Sequence, residues 1–268
     1  MADKEIVLDV RHLQQYFSNG IGKNKVVVKA VDDCQFQIPK GETFGLVGES
    51  GCGKTTTGRT IIRLYKPTGG EVYYKGKLIS GKLSHEEKIA VHQGIQMIFQ
   101  DPISSLNPRM TIQEIIGEGL LINKLVKNDT ELRKRCEEMI ELVGLTKDHL
   151  SRYPHEFSDG QRHGAWTIGS CLVVEPKLLI CDEPTSALDV SVQAQILNLL
   201  NEIQRSRDIS YLFITHNFGV VRYLADEVIV MKSGEVVEAG SAAEILNRPK
   251  DPYTCRLLEA VPNFDSLK

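Results

Sequence analysis

The stretch TFGLVGESGCGKTT, residues 43–56, joins an apolar run to a glycine-rich loop that matches the pattern G-x-x-x-x-G-K-[ST]. The residues before the loop predict a strand and those after Lys54 predict a helix, which is the context that a phosphate-binding loop requires. Glycines let backbone amides curl around phosphates, the lysine reaches the β and γ oxygens, and the helix dipole favours the anion. We therefore expect the phosphates of a nucleotide to bind to Gly48, Glu49, Ser50, Gly51, Cys52, Gly53, Lys54, Thr55 and Thr56.

An acidic pair follows a second apolar run. Asp182 and Glu183 come after LLIC, residues 178–181, which we predict to be a strand. Such a pair often only caps or solvates a strand end, but together with a phosphate loop it indicates phosphoryl transfer. Asp182 would then hold Mg²⁺ through water, Thr55 would offer its hydroxyl to the same ion, and Glu183 would polarise the attacking water.

Two further polar residues follow predicted strands. Gln100 comes after IQMIF and His216 after SYLFIT, so both are expected at the carboxyl ends of strands, where open α/β sheets bind ligands. Gln100 could bind Mg²⁺ or the attacking water, and His216 could bind the γ-phosphate or orient that water. Taken alone, Gln100 is better explained as a surface amide and His216 as an imidazole at a strand end.

The remaining pattern predicts an α/β protein. Strand-rich runs precede the loop, and from Lys177 onward strand and helix patterns alternate, which favours a parallel sheet with crossover helices. Residues 101–154 carry helical periodicity instead. We interpret this segment as a helical subdomain whose second helix has Thr130 as its N-cap and Gly144 as its C-cap.

Composition limits the classes of partner. A net charge of -3 and a pI near 6.2 do not favour a nucleic-acid partner. The charged start MADKEIVLDVRHLQQYF does not read as a signal peptide, and no stretch approaches the ~20 apolar residues that span a bilayer. If the protein has a function at a membrane, we therefore expect it to act from the cytoplasm, through a partner protein.

The six cysteines are scattered without a C-x-x-C pair, which favours a reducing compartment. Cys52 stands near the start of the predicted helix, where its pKa could be lowered and its thiol made reactive. The alternative, which we prefer, is a small residue that simply fits the loop.

The ordered set GESGCGKT, Gln100, FSDGQR, LLICDE, SALD and His216 resembles the nucleotide-binding subunits of ABC transporters, over essentially the whole chain. The resemblance implies an ATPase with ATP and Mg²⁺ as cofactors. It implies an α/β fold, namely an ABC-type P-loop NTPase core with an N-terminal antiparallel β subdomain and a helical subdomain insert. The implied boundaries are 1–100 and 161–250 for the core, 101–160 for the helical subdomain and 251–268 for a C-terminal extension.

The resemblance also assigns roles to residues. Gln100 would lie in the Q-loop, Ser186 to Asp189 in the D-loop at a subunit interface, and His216 would be the switch histidine. Tyr16, or next Phe17, is the candidate for the aromatic that stacks on adenine, the alternative being an aromatic that closes a strand end. The implied catalytic residues are Glu183, His216 and Gln100, the metal ligands Thr55, Gln100 and Asp182, and the further nucleotide contacts Tyr16, Ser158, Gly160, Gln161 and Asp189.

Longer segments resemble one branch of the family. IFQDPISSLNPRMTIQEII, YPHEFS and the tail DPYTCRLLEAVP are similar to the ATPases that drive peptide and nickel import, specifically the F-type partner of a D/F pair. The resemblance favours peptide over nickel as the cargo, and nickel import is the alternative. It also implies a D-type ATPase subunit, two transmembrane permease subunits and, indirectly, an extracytoplasmic substrate-binding protein, with this chain at the cytoplasmic face of the membrane and no nucleic acid.

The chain departs from the family at the signature. The family's S-G-G-Q is here Ser158-Asp159-Gly160-Gln161, which would cover the γ-phosphate held by the other subunit. Two unit charges at ~5 Å repel by roughly 3 kcal/mol at an effective dielectric of 20, so an inward Asp159 would reduce closure about a hundredfold. Gly164 and Gly169 should also weaken the following helix or make it irregular. A degenerate half-site in a heterodimer, a locally altered sequence and a harmless variant all remain open, and we favour the first.

Two other functions fit parts of the pattern. The altered signature is compatible with a regulatory module whose output is ATP-driven association rather than turnover. A soluble ABC protein of translation or DNA repair would need a fused second cassette or a coiled-coil insertion, which this sequence does not contain.

Overall fold

The structure, a computed structural model, describes residues 4–19, 26–101, 107–157, 163–186 and 188–260. In these ranges the strands are β1 Ile6–Asn19, β2 Val26–Pro39, β3 Thr43–Val47, β4 Gly69–Tyr74, β5 Lys77–Leu78, β6 Ile95–Ile98, β7 Leu178–Asp182, β8 Ser210–Thr215, β9 Glu227–Lys232 and β10 Glu235–Ser241. The helices are α1 Lys54–Ile61, α2 His85–Gly94, α3 Ile112–Ile122, α4 Asp129–Leu142, α5 His163–Leu172, α6 Val190–Arg207, α7 Phe218–Leu224, α8 Ala242–Asn247 and α9 Pro252–Glu259. Short 3₁₀ helices cover Lys147–Ser151 and Pro154–Glu156.

The chain separates into two compact units. We call residues 1–84 with 208–268 the P-loop unit and residues 85–207 the helical unit. The predicted segments 101–160 and 251–268 were defined by functional role, whereas these units are defined by compactness. The predicted boundaries therefore stay predictions. No helix among the described residues has the length and apolar character that crossing a bilayer requires.

The P-loop unit contains antiparallel and parallel strands. One sheet has the order β2-β1-β4-β5 and is antiparallel throughout, as predicted for the N-terminal part. In the other group of strands, β3 pairs in parallel with both β8 and β9, and β10 pairs antiparallel with β9. Strand β3 pairs along both of its edges, and all five of its residues are buried. The strand that leads into the glycine loop is therefore an interior strand.

The helical unit combines a parallel strand pair with the predicted helices. Strands β6 and β7 pair in parallel, from Ile95 opposite Leu178 to Ile98 opposite Cys181. Helix α3 begins at a capping box formed by Thr111 and Glu114. The prediction of Thr130 as the N-cap of α4 is wrong, because the Asn128 side chain accepts the Glu131 N–H and the helix starts two residues earlier.

Helix α4 ends at Leu142 with Val143 as its C-cap, and Gly144 follows with φ +79°, the left-handed position after a C-cap that glycine adopts without strain. The prediction of Gly144 as the C-cap is therefore wrong by one residue, although the glycine does end the helix.

Helix α5 is regular where the sequence predicted weakness. It runs for 10 residues without a break, although it contains two glycines. Trp166 and Leu172 are 0% exposed, and an added Cβ at Gly169 would meet Met139 at 3.4 Å. Burial of large apolar side chains at about 1.5–3 kcal/mol each outweighs the ~1 kcal/mol that each glycine costs in a helix. Tertiary packing thus overrides the low helix propensity, and Trp166 serves that packing.

Candidate nucleotide-binding site

The glycine loop joins the end of β3 to the start of α1, as its pattern predicts. Gly48, Gly51 and Gly53 have φ angles of +153°, +82° and +110°. Side chains with a Cβ rarely adopt such angles, so the loop geometry requires these glycines. Glu49 and Ser50 are exposed while Gly48 is buried, which leaves the curve of the loop open on one side.

The loop is held by backbone groups from distant parts of the P-loop unit. A Cβ at Gly53 would lie 2.0 Å from the Ala30 carbonyl oxygen of β2, and a Cβ at Gly48 would lie 2.2 Å from the Met231 carbonyl oxygen of β9. Such distances leave no space for a side chain. The close approach of β2 and β9 therefore explains Gly48 and Gly53 independently of any ligand.

The β9–β10 turn also supports the loop. Gly234 donates its N–H to the Cys52 carbonyl at 2.9 Å and accepts the Asp32 N–H at 2.8 Å. Ser233 and Gly234 have φ angles of +48° and +93°, close to the +48° and +74° of Lys75 and Gly76 in the β4–β5 turn. The two turns have similar backbone angles, but no atom lies within 4 Å of a Cβ added at Gly76.

Lys54 folds back over the loop. Its ammonium donates to the carbonyl oxygens of Gly48 at 2.7 Å and Glu49 at 2.9 Å, and its side chain is buried. An ammonium has three N–H donors. The third faces the Cys52 sulfur in a weak contact of 3.8 Å, which a phosphate oxygen would replace with a charge-assisted bond.

The start of α1 is suited to a phosphate. Its N-cap is Gly53, which provides no side-chain cap, and the first turn contains no acidic residue. The first amides of a helix need an acceptor, and an anion supplies one. The residues present therefore fit a bound triphosphate.

Cys52 is a packed residue rather than an activated thiol. It is 6% exposed, and burial raises its pKa even though the nearby Lys54 ammonium acts in the opposite direction. The suggested lowering of its pKa by the helix start is thus wrong, and the preferred alternative of a small residue that fits the loop agrees with the structure.

Tyr16 is connected to the loop through hydrogen bonds. Its hydroxyl donates to the Asp32 carboxylate. The Asp32 N–H donates to the Gly234 carbonyl, and the Gly234 N–H donates in turn to the Cys52 carbonyl in the loop. The Lys29 ammonium lies 5.4 Å from the centre of the Tyr16 ring and 2.8 Å from Asp32. Tyr16 is therefore tied to the glycine loop through β2 and the β9–β10 turn, and its contact with adenine stays a prediction.

Phe17, the second aromatic candidate, has other contacts. Its ring meets the edge of Tyr65 at 5.3 Å. Neighbouring residues of a strand point to opposite faces, so Tyr16 and Phe17 cannot serve the same ligand.

His216 lies at the same end of the strands as the loop. It is exposed and follows Thr215, which pairs with Val47, the residue directly before the loop. Asn217 after it caps α7, since its side chain accepts the Gly219 N–H at 2.8 Å. The predicted position of His216 at a strand end is thus found in the structure.

In the helical unit, parallel pairing brings Gln100 to Glu183. Strands β6 and β7 end at the same edge, and the Gln100 amide donates to the Glu183 carboxylate at 3.3 Å. Asp182, the last residue of β7, is 0% exposed. Glu183 has φ +48°, an unusual angle for a residue with a side chain and one that is enriched at functional sites.

Asp189 starts α6. Its carboxylate accepts the Val192 N–H at 2.9 Å and the Ser191 hydroxyl at 2.8 Å, and these bonds hold its pKa below the usual value. The side chain is therefore committed to the helix start in this chain. Ser158, Asp159, Gly160 and Gln161 lie outside the described residues, so the predictions for the signature stand as made.

Tyr253 is not among the residues that the sequence predicts for the site. Its hydroxyl nevertheless accepts the N–H of Glu49, inside the glycine loop, at 3.1 Å. The only sign of Tyr253 in the sequence is its place in the tail motif DPYT, and the motif does not reveal which residues Tyr253 contacts.

Known proteins share both the sequence and the fold. A family model described as ABC transporter matches residues 31–186. The chain is 51% identical to the oligopeptide transport ATP-binding protein OppF of Bacillus subtilis strain 168, over 96% of this chain and 83% of that protein. It is 45% identical to the dipeptide transport ATP-binding protein DppF of Lactococcus lactis subsp. cremoris, over 100% of this chain and 85% of that protein.

Solved structures agree with these relatives. A dimeric ATP-binding cassette in a post-hydrolysis state with ADP and Pi has a TM-score of 0.75 and 25% identity, over 88% of this chain and 98% of its own. The protein cbiO1 of Clostridium perfringens, part of an ABC transporter complex, has a TM-score of 0.77 and 29% identity, over 91% and 92%. The predicted fold class is confirmed, and the chain belongs to the ABC transporter family as one of its ATP-binding, ATP-hydrolysing proteins.

Proposed function

We propose that this chain is the ATP-binding subunit of an importer for oligopeptides or dipeptides. The observation that carries the proposal is the glycine loop, with its positive φ angles, its uncapped helix start and Lys54 across its mouth. The substrate class is supported by relatives that are named for oligopeptide and dipeptide transport. Nickel, the alternative cargo, has no such support among these names.

Separate groups of side chains bind the γ-phosphate and the metal ion. Lys54 and His216 bind the γ-phosphate, one as a fixed cation and the other at the neighbouring strand end. Thr55, Gln100 and Asp182 would hold Mg²⁺, since hydroxyl, amide and carboxylate oxygens are the hard ligands that this ion takes. Bound Mg²⁺ supplies neutralisation of the charge on the phosphates.

Glu183 polarises the attacking water. Its backbone is left-handed, with φ +48°, and the Gln100 amide donates to its carboxylate at 3.3 Å and so orients it. A carboxylate held in this way can accept a proton from water while Asp182 stays buried behind it. Tyr16 stacks on the adenine.

The chain works with a second subunit. We take the partner to be a D-type ATPase, with two transmembrane permease subunits beside the pair and a substrate-binding protein on the other side of the membrane. Under this assignment the chain lies at the cytoplasmic face. The partner's signature and D-loop complete the ATP site on this chain's loop. This chain in turn contributes Ser158, Gly160, Gln161 and Asp189 to the partner's ATP site.

Asp159 makes the two sites unequal. A carboxylate in the turn that faces a γ-phosphate repels it, so the site that this chain completes for its partner turns over slowly. The same residue supports the second candidate, a subunit whose ATP binding regulates the complex with little turnover of its own. Steady-state ATPase activity, measured with and without the partner subunits, separates the two.

The experiment is complementation of a host that lacks its own F-type subunit, with uptake of a labelled tripeptide and of radioactive nickel as the two readouts. Wild-type chain should restore peptide uptake, and Glu183→Gln should bind ATP and copurify with its partners but restore no uptake. Restored nickel uptake without peptide uptake contradicts the substrate class. Unchanged hydrolysis by the variant contradicts the role of Glu183.

A further inference from the structure

The C-terminal helix contacts the phosphate loop through one tyrosine. The N–H of Glu49 donates to the hydroxyl of Tyr253 at 3.1 Å, and both residues belong to the P-loop unit. Tyr253 is 5% exposed, so its ring is packed inside the protein and its hydroxyl is the part that meets the loop. A buried tyrosine hydroxyl requires a polar partner, and here that partner is loop backbone.

The Tyr253 ring packs beside the two segments that lead to nucleotide-binding residues. It belongs to one buried cluster with Val47, the last residue before the loop, and Phe218, the first residue of α7 and two positions after His216. The Lys232 ammonium lies 5.2 Å from the ring centre. The ring therefore fixes the hydroxyl against the same elements that place the loop and His216.

Backbone hydrogen bonds hold the start of α9 in place. Asp251 caps the helix by accepting the Tyr253 N–H at 2.7 Å. The Glu238 carboxylate of β10 accepts the N–H groups of Lys250 at 2.8 Å and Asp251 at 3.1 Å. The position of Tyr253 thus depends on the docking of α9 onto β10.

The peptide groups of Glu49 link Tyr253 to Lys54. The Glu49 N–H is held by Tyr253, while the Glu49 carbonyl accepts the Lys54 ammonium at 2.9 Å and the Cys52 N–H at 3.3 Å. We propose that Tyr253 is a positioning residue for ATP: by holding Glu49, it keeps the loop in the shape in which Lys54 reaches the phosphates, so docking of the C-terminal helix sets ATP affinity. This inference requires ATP binding but not peptide transport.

The test replaces Tyr253 with phenylalanine, which removes the hydroxyl and keeps the buried ring. Tyr73→Phe is the matched control, because it removes a tyrosine hydroxyl of the same unit that bonds Glu71 at 2.9 Å instead of the loop. Dissociation constants for MgATP are measured by calorimetry on the full chain, and unfolding temperatures are measured without nucleotide.

We expect Tyr253→Phe to weaken MgATP binding about two- to tenfold, the factor that corresponds to one ordinary hydrogen bond, while Tyr73→Phe binds as wild type. Amide exchange of the peptide that contains Glu49 should become faster in Tyr253→Phe. An affinity equal to that of the control overturns the proposal, as does a lower unfolding temperature with unchanged affinity.

A second measurement uses the unmodified chain. If docking of α9 favours ATP, linkage requires that ATP favours docking by the same factor. Amide exchange of residues 252–259 should therefore slow when MgATP is added, and unchanged exchange overturns the proposal. A wild-type chain that binds no ATP contradicts the ATP-binding assignment itself, whereas failed peptide uptake contradicts only the proposed function.

Discussion

Replacing Gly53 with alanine tests how the loop is held. The new Cβ would lie 2.0 Å from the Ala30 carbonyl oxygen and 3.1 Å from the Met231 Cε. The methionine end can move, but the carbonyl belongs to the paired strand β2 and cannot turn away. Gly51→Ala is the matched control, since Gly51 also has a positive φ, +82°, while no atom lies within 4 Å of its added Cβ.

The magnitude follows from two contributions to the free energy of unfolding. A positive φ on alanine costs about 1–3 kcal/mol at either position. At Gly53 the clash with backbone adds about 1–3 kcal/mol, as overpacking does in a core. The gain of about 0.4–1 kcal/mol from a less flexible unfolded chain is common to both variants and cancels in the comparison. Gly53→Ala should therefore be less stable than Gly51→Ala by about 1–3 kcal/mol, which is the contribution of the clash alone.

The assay is urea unfolding without nucleotide, followed by circular dichroism. Gly76→Ala, with φ +74° and an open surrounding, gives the cost of the backbone angle outside the loop. The reasoning predicts that Gly51→Ala resembles Gly76→Ala and that Gly53→Ala is clearly less stable than both. Equal stability of all three variants would show that the contact with Ala30 does not constrain the loop.

The remaining predictions concern charge and protonation. Asp159→Gly should raise ATP turnover of the assembled transporter by relieving repulsion worth roughly 3 kcal/mol at ~5 Å, with activity unchanged if Asp159 is harmless. Because burial raises the pKa of Cys52, its alkylation by iodoacetamide, followed by peptide mass spectrometry, should still accelerate above pH 9 and should be blocked by ATP, whereas a plateau below pH 8 contradicts this. Burial tends to raise the pKa of Glu238, but the Thr254 hydroxyl and the N–H groups of Lys250 and Asp251 act against it and leave the pKa below its usual value. The Glu238 contribution to stability is therefore present at neutral pH and is lost as pH falls below about 4, so wild type should lose stability there more steeply than Glu238→Gln, and parallel curves refute the assignment.

Local patterns predicted the parts of the site that depend on neighbouring residues. The glycine loop was predictable because its motif sits between a strand and a helix, and both elements are present at β3 and α1. The meeting of Gln100 with Glu183 follows from parallel strands that end at one edge. The family comparison supports the same picture, although roles such as that of Tyr16 stay predictions.

Long-range backbone contacts were not predictable. Ala30 and Met231 hold the loop through carbonyl oxygens, and every residue has one, so no residue type marks them. Helix α2 was missed because Val91 is its one buried residue and leaves no apolar stripe. The regular form of helix α5 was not predicted, because glycines lower intrinsic helix propensity while burial, which the sequence does not show, favours the helix.

The pair of similar turns has a practical consequence for protein engineering. Lengthening the Lys75–Gly76 hairpin with an epitope tag meets open space, so the tag should be tolerated. The same insertion at Ser233–Gly234 would remove the amide that reaches Cys52 and push the hairpin against Lys29, whose carbonyl lies 2.6 Å from a Cβ added at Gly234. Hairpins with nearly the same conformation thus differ in whether they accept new sequence, and the difference is set by what lies behind each turn.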